Sequence, residues 1–499
     1  MYFLLNQILV LDILIYVFLF LYTIGALLIT VYSIGFYHLL FLFVFKHKKY
    51  KRLAPQYEDD QWPFVTVQIP MYNEKAVAKS IIDSCALLDY PKDKLEIQVI
   101  DDSTDETLEI VKERATFWNE NGINVTIVHR EKREGFKAGA LQHATQFAKG
   151  DFLAIFDADF RPNSDFLKKT VGYFIDSKVA VVQTRWGHLN REFSMLTRAQ
   201  SLLHDGFFII EQQAREIGGY LLRFNGSAGI WRKETISDIG GWSSDTIAED
   251  HDMCLKAQLK GWKFIYDFHV VARAELPLTM TDFKIQQHRW TKGRGQNIKK
   301  YFWKLLKADL KPMVKFHAMF DLINVFVLVG ILLLSLTSIP VALFIQINPV
   351  IQKVMVYLTI SLINVLILPW ITWLIMEQYA SSKTERIKEF FKTLFPFILT
   401  IVGLPFFLTV SLLDGFFNKK SFFYRTSKHS SVSKALPWKG NLYKPSELSV
   451  ITWFEGFFVL FFIGAIVADF SVGFFGFLPY HLLLTISYSF LFIQSFKKV

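Results

Sequence analysis

FLAIFDADFRP, residues 152–162, is the stretch on which the fold turns. Five apolar residues run straight into Asp157-Ala158-Asp159, the pattern of a buried strand that ends on acid. Three upstream segments read as strands too: Phe64–Ile69 (FVTVQI) closing at Pro70, Leu95–Ile100 (LEIQVI) running into Asp101-Asp102-Ser103, and Val125–Val128. Helical stretches at roughly 74–88, 104–119 and 137–148 separate them. Strands alternating with helices predict a parallel α/β sheet covered on both faces, and ligands of such sheets bind at the carboxyl ends of the strands. Tyr72-Asn73-Glu74, Asp101-Asp102-Ser103 and Asp157-Ala158-Asp159 all follow strand ends, so they are expected to meet in one acidic crevice.

Outward from this domain, which spans 55 to about 300, the composition changes. The chain has 499 residues, 52% hydrophobic, with 50 Phe and two Cys. These values exclude a disordered or low-complexity chain, a disulfide framework and a four-cysteine zinc site. The apolar excess is concentrated at the two ends. No Lys, Arg, Asp or Glu interrupts Ile13–Phe45, and Lys46, Lys48, Lys49, Lys51 and Arg52 follow it. That is one long spanning helix with the following domain cytoplasmic and the N-terminus outside; a hairpin of two short helices turning at Gly25 or Gly35 is the alternative. A secretory signal fits badly, because no basic residue precedes the run. Later apolar runs lie at about 318–346, 351–377, 394–415, 449–468 and 472–493. The segments 382–392 and 416–448 are both basic and therefore cytoplasmic, which makes 394–415 interfacial or re-entrant. The expectation is about five spans plus interfacial helices. The net charge of +10 falls largely beside these runs, so lipid explains it better than nucleic acid.

The motifs narrow the chemistry. Neither a P-loop nor the dinucleotide glycine spacing occurs, so a bound nucleotide would be held through a divalent metal on carboxylates. Asp157-Ala158-Asp159 closes an apolar strand, and strand alternation is expected to point both carboxylates the same way, where together they can hold one hard cation. The Asp101–Asp105 run can cap a helix, although capping leaves two adjacent aspartates at a strand end unexplained; Glu106 at the glycine position disfavours a calcium loop. Glu249-Asp250-His251-Asp252 opens a helical stretch, either as dipole complement or as the source of a general base. Gln286, Arg289 and Trp290 are spaced to share one helix face. They suit a sugar, and equally an interfacial Trp with a snorkelling Arg. Cys85 and Cys254 read as reduced and structural. No zinc spacing and no Gly-x-Ser-x-Gly elbow are present.

In this order the segments QIPMYNE (68–74), QVIDDSTDET (98–107), GFKAGAL (135–141), AIFDADFRP (154–162), FNGSAGIWR (224–232), GGW…EDHD (240–252), LKGWKF (259–264), ELP (275–277) and QQHRW (286–290) resemble the processive family 2 glycosyltransferases, the group of cellulose, hyaluronan and mannan synthases. The resemblance is closest to the plant glucomannan synthases of the cellulose-synthase-like class. It implies a GT-A type, Rossmann-like cytoplasmic domain (55–280) between an N-terminal transmembrane helix (1–48) and a bundle (317–499), with interfacial helices at 281–316. It also implies a sugar-nucleotide donor, GDP-mannose before UDP-glucose, and Mg²⁺ or Mn²⁺. Carried over residue by residue, Asp157 and Asp159 would hold the metal and Asp250 would be the base. Tyr72, Glu74, Asp101, Asp102, Lys137, Asp157, Gln286 and Arg289 would bind the donor. Phe224, Asn225, Gly226, Glu249 and Trp290 would bind the acceptor. Phe423, Thr426 and Lys428 are similar to a gating loop, with Arg425 departing from that pattern.

What this implies is an inverting synthase that polymerises a β-1,4-linked mannan, glucomannan or glucan and moves it across the plasma (inner) membrane. The rival readings are a non-processive transferase acting on a lipid-linked acceptor and a transporter with a regulatory domain. Few ionisable residues in the expected spans argue against an ion-coupled carrier.

Overall fold

The computed structural model describes residues 2–58, 61–346, 348–358, 364–419 and 450–497. The four expected strands form as β1 (Val65–Met71), β2 (Leu95–Asp101), β3 (Asn124–His129) and β4 (Phe152–Ile155), all parallel. β1, β2 and β4 are rich in β-branched or apolar residues, as strands buried on both faces require, while β3 at the edge is only half-buried. Val65, Val67 and Ile69 face one core, with Ile81 and Val111 from the covering helices. Leu153 and Ile155 face the other, with Leu141 and with Leu39 and Leu40 of the N-terminal helix.

The sheet continues beyond the parallel unit, in the order β3-β2-β1-β4-β7-β6-β8-β5. The added strands are β5 (Phe160–Pro162), β6 (Val179–His188), β7 (Gly229–Arg232) and β8 (Lys263–Ala274). β7 runs antiparallel to β4 and β6, and β5 antiparallel to β8, so the expected all-parallel sheet is only its first half. The chain leaves β3 at one edge and re-enters beyond β1 as β4. The β1–β4 boundary is therefore a topological switch point, where a crevice opens at the strand ends.

Tyr2–Lys46 is one unbroken helix. Gly25 and Gly35 mark close packing, not a turn. A Cβ on Gly25 would lie 2.8 Å from the Gly330 carbonyl, one on Gly330 would lie 2.9 Å from that of Gly25, and one on Gly35 would strike the Phe320 ring. Small residues at a crossing let helix backbones approach where lipid supplies no hydrophobic drive.

Three helical stretches among the described residues are long and apolar enough to cross a membrane: Ile13–Lys49, Pro312–Phe344 and Val450–Val472. Lys383–Gly403 and Pro405–Phe416 form a pair bent by 51°, a broken span or a re-entrant loop, where Gly403 and Pro405 interrupt the ladder. Of the remaining expected spans, 351–377 falls partly outside the described residues, and 472–493 contains the polar-flecked helix Leu478–Ser495. On these helices apolar side chains such as Phe20, Leu27, Leu460, Val467 and Phe470 stay exposed. Two buried acids within these helices have partners. Glu455 meets Lys284 of the Met280–Lys307 helix at 2.5 Å, and Asp469 meets His481 at 2.7 Å, which in turn lies 2.9 Å from Ser338 Oγ.

Candidate active site

The ends of β1 and β2 are tied by hydrogen bonds. The Asn73 N–H donates to Ser103 Oγ at 2.8 Å, and the Thr104 N–H donates to Asn73 Oδ1 at 2.8 Å. Tyr72 and Glu74 follow β1 at the lip of the crevice, and the Arg133 guanidinium lies 3.6 Å from the centroid of the Tyr72 ring. The adjacent aspartates separate. Asp101, expected to bind the donor, is fully buried at the end of β2, with Oδ2 2.9 Å from His129 Nδ1. Asp102 is held by Arg130 through Nε at 2.8 Å and Nη2 at 2.5 Å, a bidentate pairing that fixes the carboxylate plane.

Lys137 stands at the centre. It enters on the first turn of Phe136–Thr145, after Gly135 at φ +69° and Phe136 at φ +51° turn the chain. Its ammonium donates to Asp157 Oδ1 at 2.5 Å and to the Gly226 carbonyl at 2.8 Å. Gly226 has φ +80°, and a Cβ there would lie 3.1 Å from Asp250 Oδ2 and 3.5 Å from Lys137 Nζ. Residues from four separate segments thus converge on one point. Burial would lower the Lys137 pKa, but Asp157, then Glu249 and Asp250, outweigh it and raise it. Burial raises the Asp250 carboxyl, against the His251 N–H and Lys137. Burial and then the Asp250 charge raise Glu249, against Lys137 and Arg289. A carboxyl raised in this way is suited to accept a proton near neutral pH.

β4 ends at Ile155, and the Phe160 N–H closes a turn on the Asp157 carbonyl at 3.0 Å. The alternation argument for Asp157 and Asp159 therefore fails: they sit in a turn, with Asp157 partly open and Asp159 buried. Among the described residues no group of three or more His, Cys, Asp or Glu could hold a metal ion. Two hard carboxylates with one open face still fit Mg²⁺ or Mn²⁺. Such ions take one or two protein carboxylates and complete their shell with phosphate oxygens and water.

The helix Met280–Lys307 carries Gln286, Arg289 and Trp290, as their spacing implied. A Cβ on Gly293 would meet that of Ala248 at 2.6 Å, and the Ile247 N–H donates to Gln296 Oε1 at 2.8 Å. That close approach brings the helix against the segment that delivers Glu249 and Asp250. Trp290 sits edge-on to His204, with ring centroids 5.5 Å apart. Gln286 Oε1 and Asn225 Oδ1 are buried and accept no hydrogen bond. The Phe224 ring, expected on the acceptor side, lies in the core 5.5 Å from Trp231, and its N–H donates to Cys254 Sγ at 2.9 Å. Phe423, Thr426 and Lys428 lie outside the described residues.

Sequence reasoning missed Arg133, Ser227 and Gln183. Ser227 Oγ accepts the Asp157 N–H at 2.9 Å, and Gln183 Oε1 accepts the Asn225 N–H at 2.9 Å. No local spacing marks these residues. Ser227 alone lay inside a quoted segment, FNGSAGIWR, and could have been found there.

Residues 66–233 match Glycosyl transferase family 2, and residues 152–410 match Glycosyl transferase family group 2. A probable glucomannan 4-beta-mannosyltransferase of Oryza sativa subsp. japonica is 40% identical over 274 residues, 54% of this chain and 47% of that protein. A glucomannan 4-beta-mannosyltransferase of Arabidopsis thaliana is 40% identical over 253 residues, 50% of this chain and 46% of that protein. The chain thus spans about half the length of the curated relatives it matches. Among solved structures, a mannosyltransferase from Pyrobaculum calidifontis in complex with GDP-Man and Mn²⁺ superposes with a TM-score of 0.52 at 22% identity. The match covers 79% of this chain and 99% of that one, a likeness of fold. The sheet is that of a GT-A type domain, and the chain belongs to the family 2 glycosyltransferases.

Proposed function

We propose that this chain is a processive, inverting hexosyltransferase. In this reading it builds a β-1,4-linked mannan or glucomannan from GDP-mannose on the cytoplasmic face of the plasma (inner) membrane and passes the polymer outward through its bundle. One observation carries the reading: a single ammonium, Lys137, touches Asp157 and the Gly226 carbonyl, while Gly226 lies against Asp250. The diphosphate end and the acceptor end of a transfer reaction are thereby brought within one side chain of each other.

Asp250, raised by burial, takes the proton of the acceptor hydroxyl. That oxygen attacks the anomeric carbon opposite the departing diphosphate, so an α-linked donor gives a β-linked product. Lys137, Gln286 and Arg289 bind the diphosphate, and the Tyr72 ring with its Arg133 partner flanks the nucleoside. Asp157 and Asp159 would hold Mg²⁺ or Mn²⁺, which supplies charge compensation to the leaving group when bound. Trp290 offers a ring face to the acceptor sugar.

Processivity is supported by what stands behind Trp290. Its helix lies against Pro405–Phe416, where a Cβ on Gly295 would be 2.5 Å from the Leu412 carbonyl. The same helix is bound to Val450–Val472 through Lys284 and Glu455. A chain leaving the acceptor site therefore meets the membrane helices directly. The relatives' names favour a mannosyl donor.

The test is purified protein in lipid nanodiscs with labelled GDP-mannose or UDP-glucose and either Mg²⁺ or Mn²⁺, followed by linkage-specific hydrolases. Polymer sensitive to a β-1,4-mannanase is expected, with none formed in EDTA. Products limited to single-sugar adducts would sink the processive reading.

A further inference from the structure

Asp321, in the helix Pro312–Ile323 that leads from the domain into the membrane, is nearly sealed from solvent and gathers groups from two parts of the site. Its Oδ2 accepts Arg223 Nε at 2.8 Å, and its backbone carbonyl accepts Arg223 Nη2 at 2.9 Å. Arg215 Nη2 lies 3.0 Å from Oδ1, and His251 Nε2 lies 3.5 Å from Oδ2. Arg223 immediately precedes Phe224-Asn225-Gly226, and His251 immediately follows Asp250. The loop and the base helix are also joined to each other. Gln258 accepts the Leu222 N–H at 2.9 Å and donates to the Leu222 carbonyl at 2.8 Å, one turn beyond the contact of Cys254 with Phe224. Residues 222–226 and the Glu249–Leu259 helix are therefore tied together, and Asp321 holds both to the Pro312–Ile323 helix, where Leu255 also packs with Ala318 and Leu322.

We propose that Asp321 is a positioning residue for the transfer, acting through His251 on Asp250 and through Arg223 on Gly226. This rests on the glycosyl-transfer reading above. A displaced Asp321 would move base and loop together, away from Lys137 and Asp157, which belong to the parallel half of the sheet. Reaction rates are sensitive to such shifts: about 1 Å of misplacement costs on the order of 10²-fold. The other charged groups facing the cluster are Glu211, which pairs with Arg215 at 2.8 Å, and Arg294, which donates to Asn324 Oδ1 at 2.9 Å. Neither bonds to Asp250.

The experiment compares wild type, His251→Leu, Asp321→Asn and Asp321→Glu in nanodiscs, with initial rates from GDP-mannose and UDP-glucose and a melting curve for each. His251→Leu cuts one arm and leaves both Arg–Asp321 pairs intact, so it keeps the question open should Asp321→Asn fail to fold. The expected result is a kcat lower by about 10²-fold in His251→Leu, with the donor KM within about twofold of wild type. Asp321→Glu should recover part of the kcat lost in Asp321→Asn. An unchanged kcat in folded His251→Leu overturns the proposal while leaving the transferase reading standing. A donor KM that rises in step with the fall in kcat also overturns it, because that is a general loss of structure. Wild-type protein that turns over neither donor overturns both.

Discussion

Lys137 Nζ lies 2.5 Å from Asp157 Oδ1, one half-buried cation on the acidic triplet that follows β4. The pair makes Lys137 the hinge of the site's electrostatics, since Glu249 and Asp250 also act on the same ammonium. Lys137→Met should lower kcat/KM for sugar transfer by about 10²–10³-fold, the loss typical of one preorganised charge-stabilising donor. Initial rates across donor concentrations would check this, and a loss under about threefold would remove Lys137 from the mechanism.

Gly226→Ala tests the loop. Its φ of +80° disfavours any side chain, and the new methyl would stand 3.1 Å from Asp250 Oδ2. Stability should fall by about 1–2 kcal/mol from the left-handed backbone alone. Transfer should fall more steeply than stability, because the methyl intrudes between Lys137 and Asp250. Melting curves and rates on the same preparation separate the two effects.

The pH profile follows from the raised carboxyls. Burial raises Asp250, and burial plus the Asp250 charge raises Glu249. A base with a raised pKa is protonated sooner as pH falls, so the acidic limb of kcat/KM should lie above the ordinary carboxylate range. Glu249→Gln removes a neighbouring anion and should move that limb to lower pH. Asp250→Asn should abolish transfer at every pH. A limb that stays in place in Glu249→Gln would show that the two carboxyls do not titrate together.

Lys284 and Glu455 provide a stability test away from the chemistry. Their 2.5 Å pair is buried, and Ser495 Oγ accepts a further bond from Lys284 at 2.8 Å. Lys284→Met leaves Glu455 buried without its partner and should cost about 3–5 kcal/mol. Adding Glu455→Leu should restore most of it. Melting of the three proteins in one detergent measures the coupling, and equal melting points for the single and double variants would mean that the pair does not anchor the Met280–Lys307 helix.

Much of this site could be read before any coordinates. FLAIF ending on Asp157 announced β4, and Gln286, Arg289 and Trp290 share a helix because their spacing is helical. What could not be read followed from contacts distant in sequence. Phe224 and Asp101 stand in motifs expected to bind ligand, and it is the fold that buries both. The Asp157-Ala158-Asp159 triplet looked like strand, and a turn took it instead. Gly25 and Gly35 left a hairpin open as the alternative to one long helix, and helix crossings are what they serve.

The sequence by itself determined the local elements: four strands, the acids that follow them, and the long apolar helices. These follow from burial periodicity, which a short window of residues carries in full. Only the tertiary structure decided which strand ends share a crevice and which aspartate stays open to a ligand. It alone set Arg223 and Asp321, 98 residues apart, against each other, and it closed the contact of Lys137 with Gly226 across 89. Such meetings depend on strand order and on how closely helices approach, and no short window of sequence contains either.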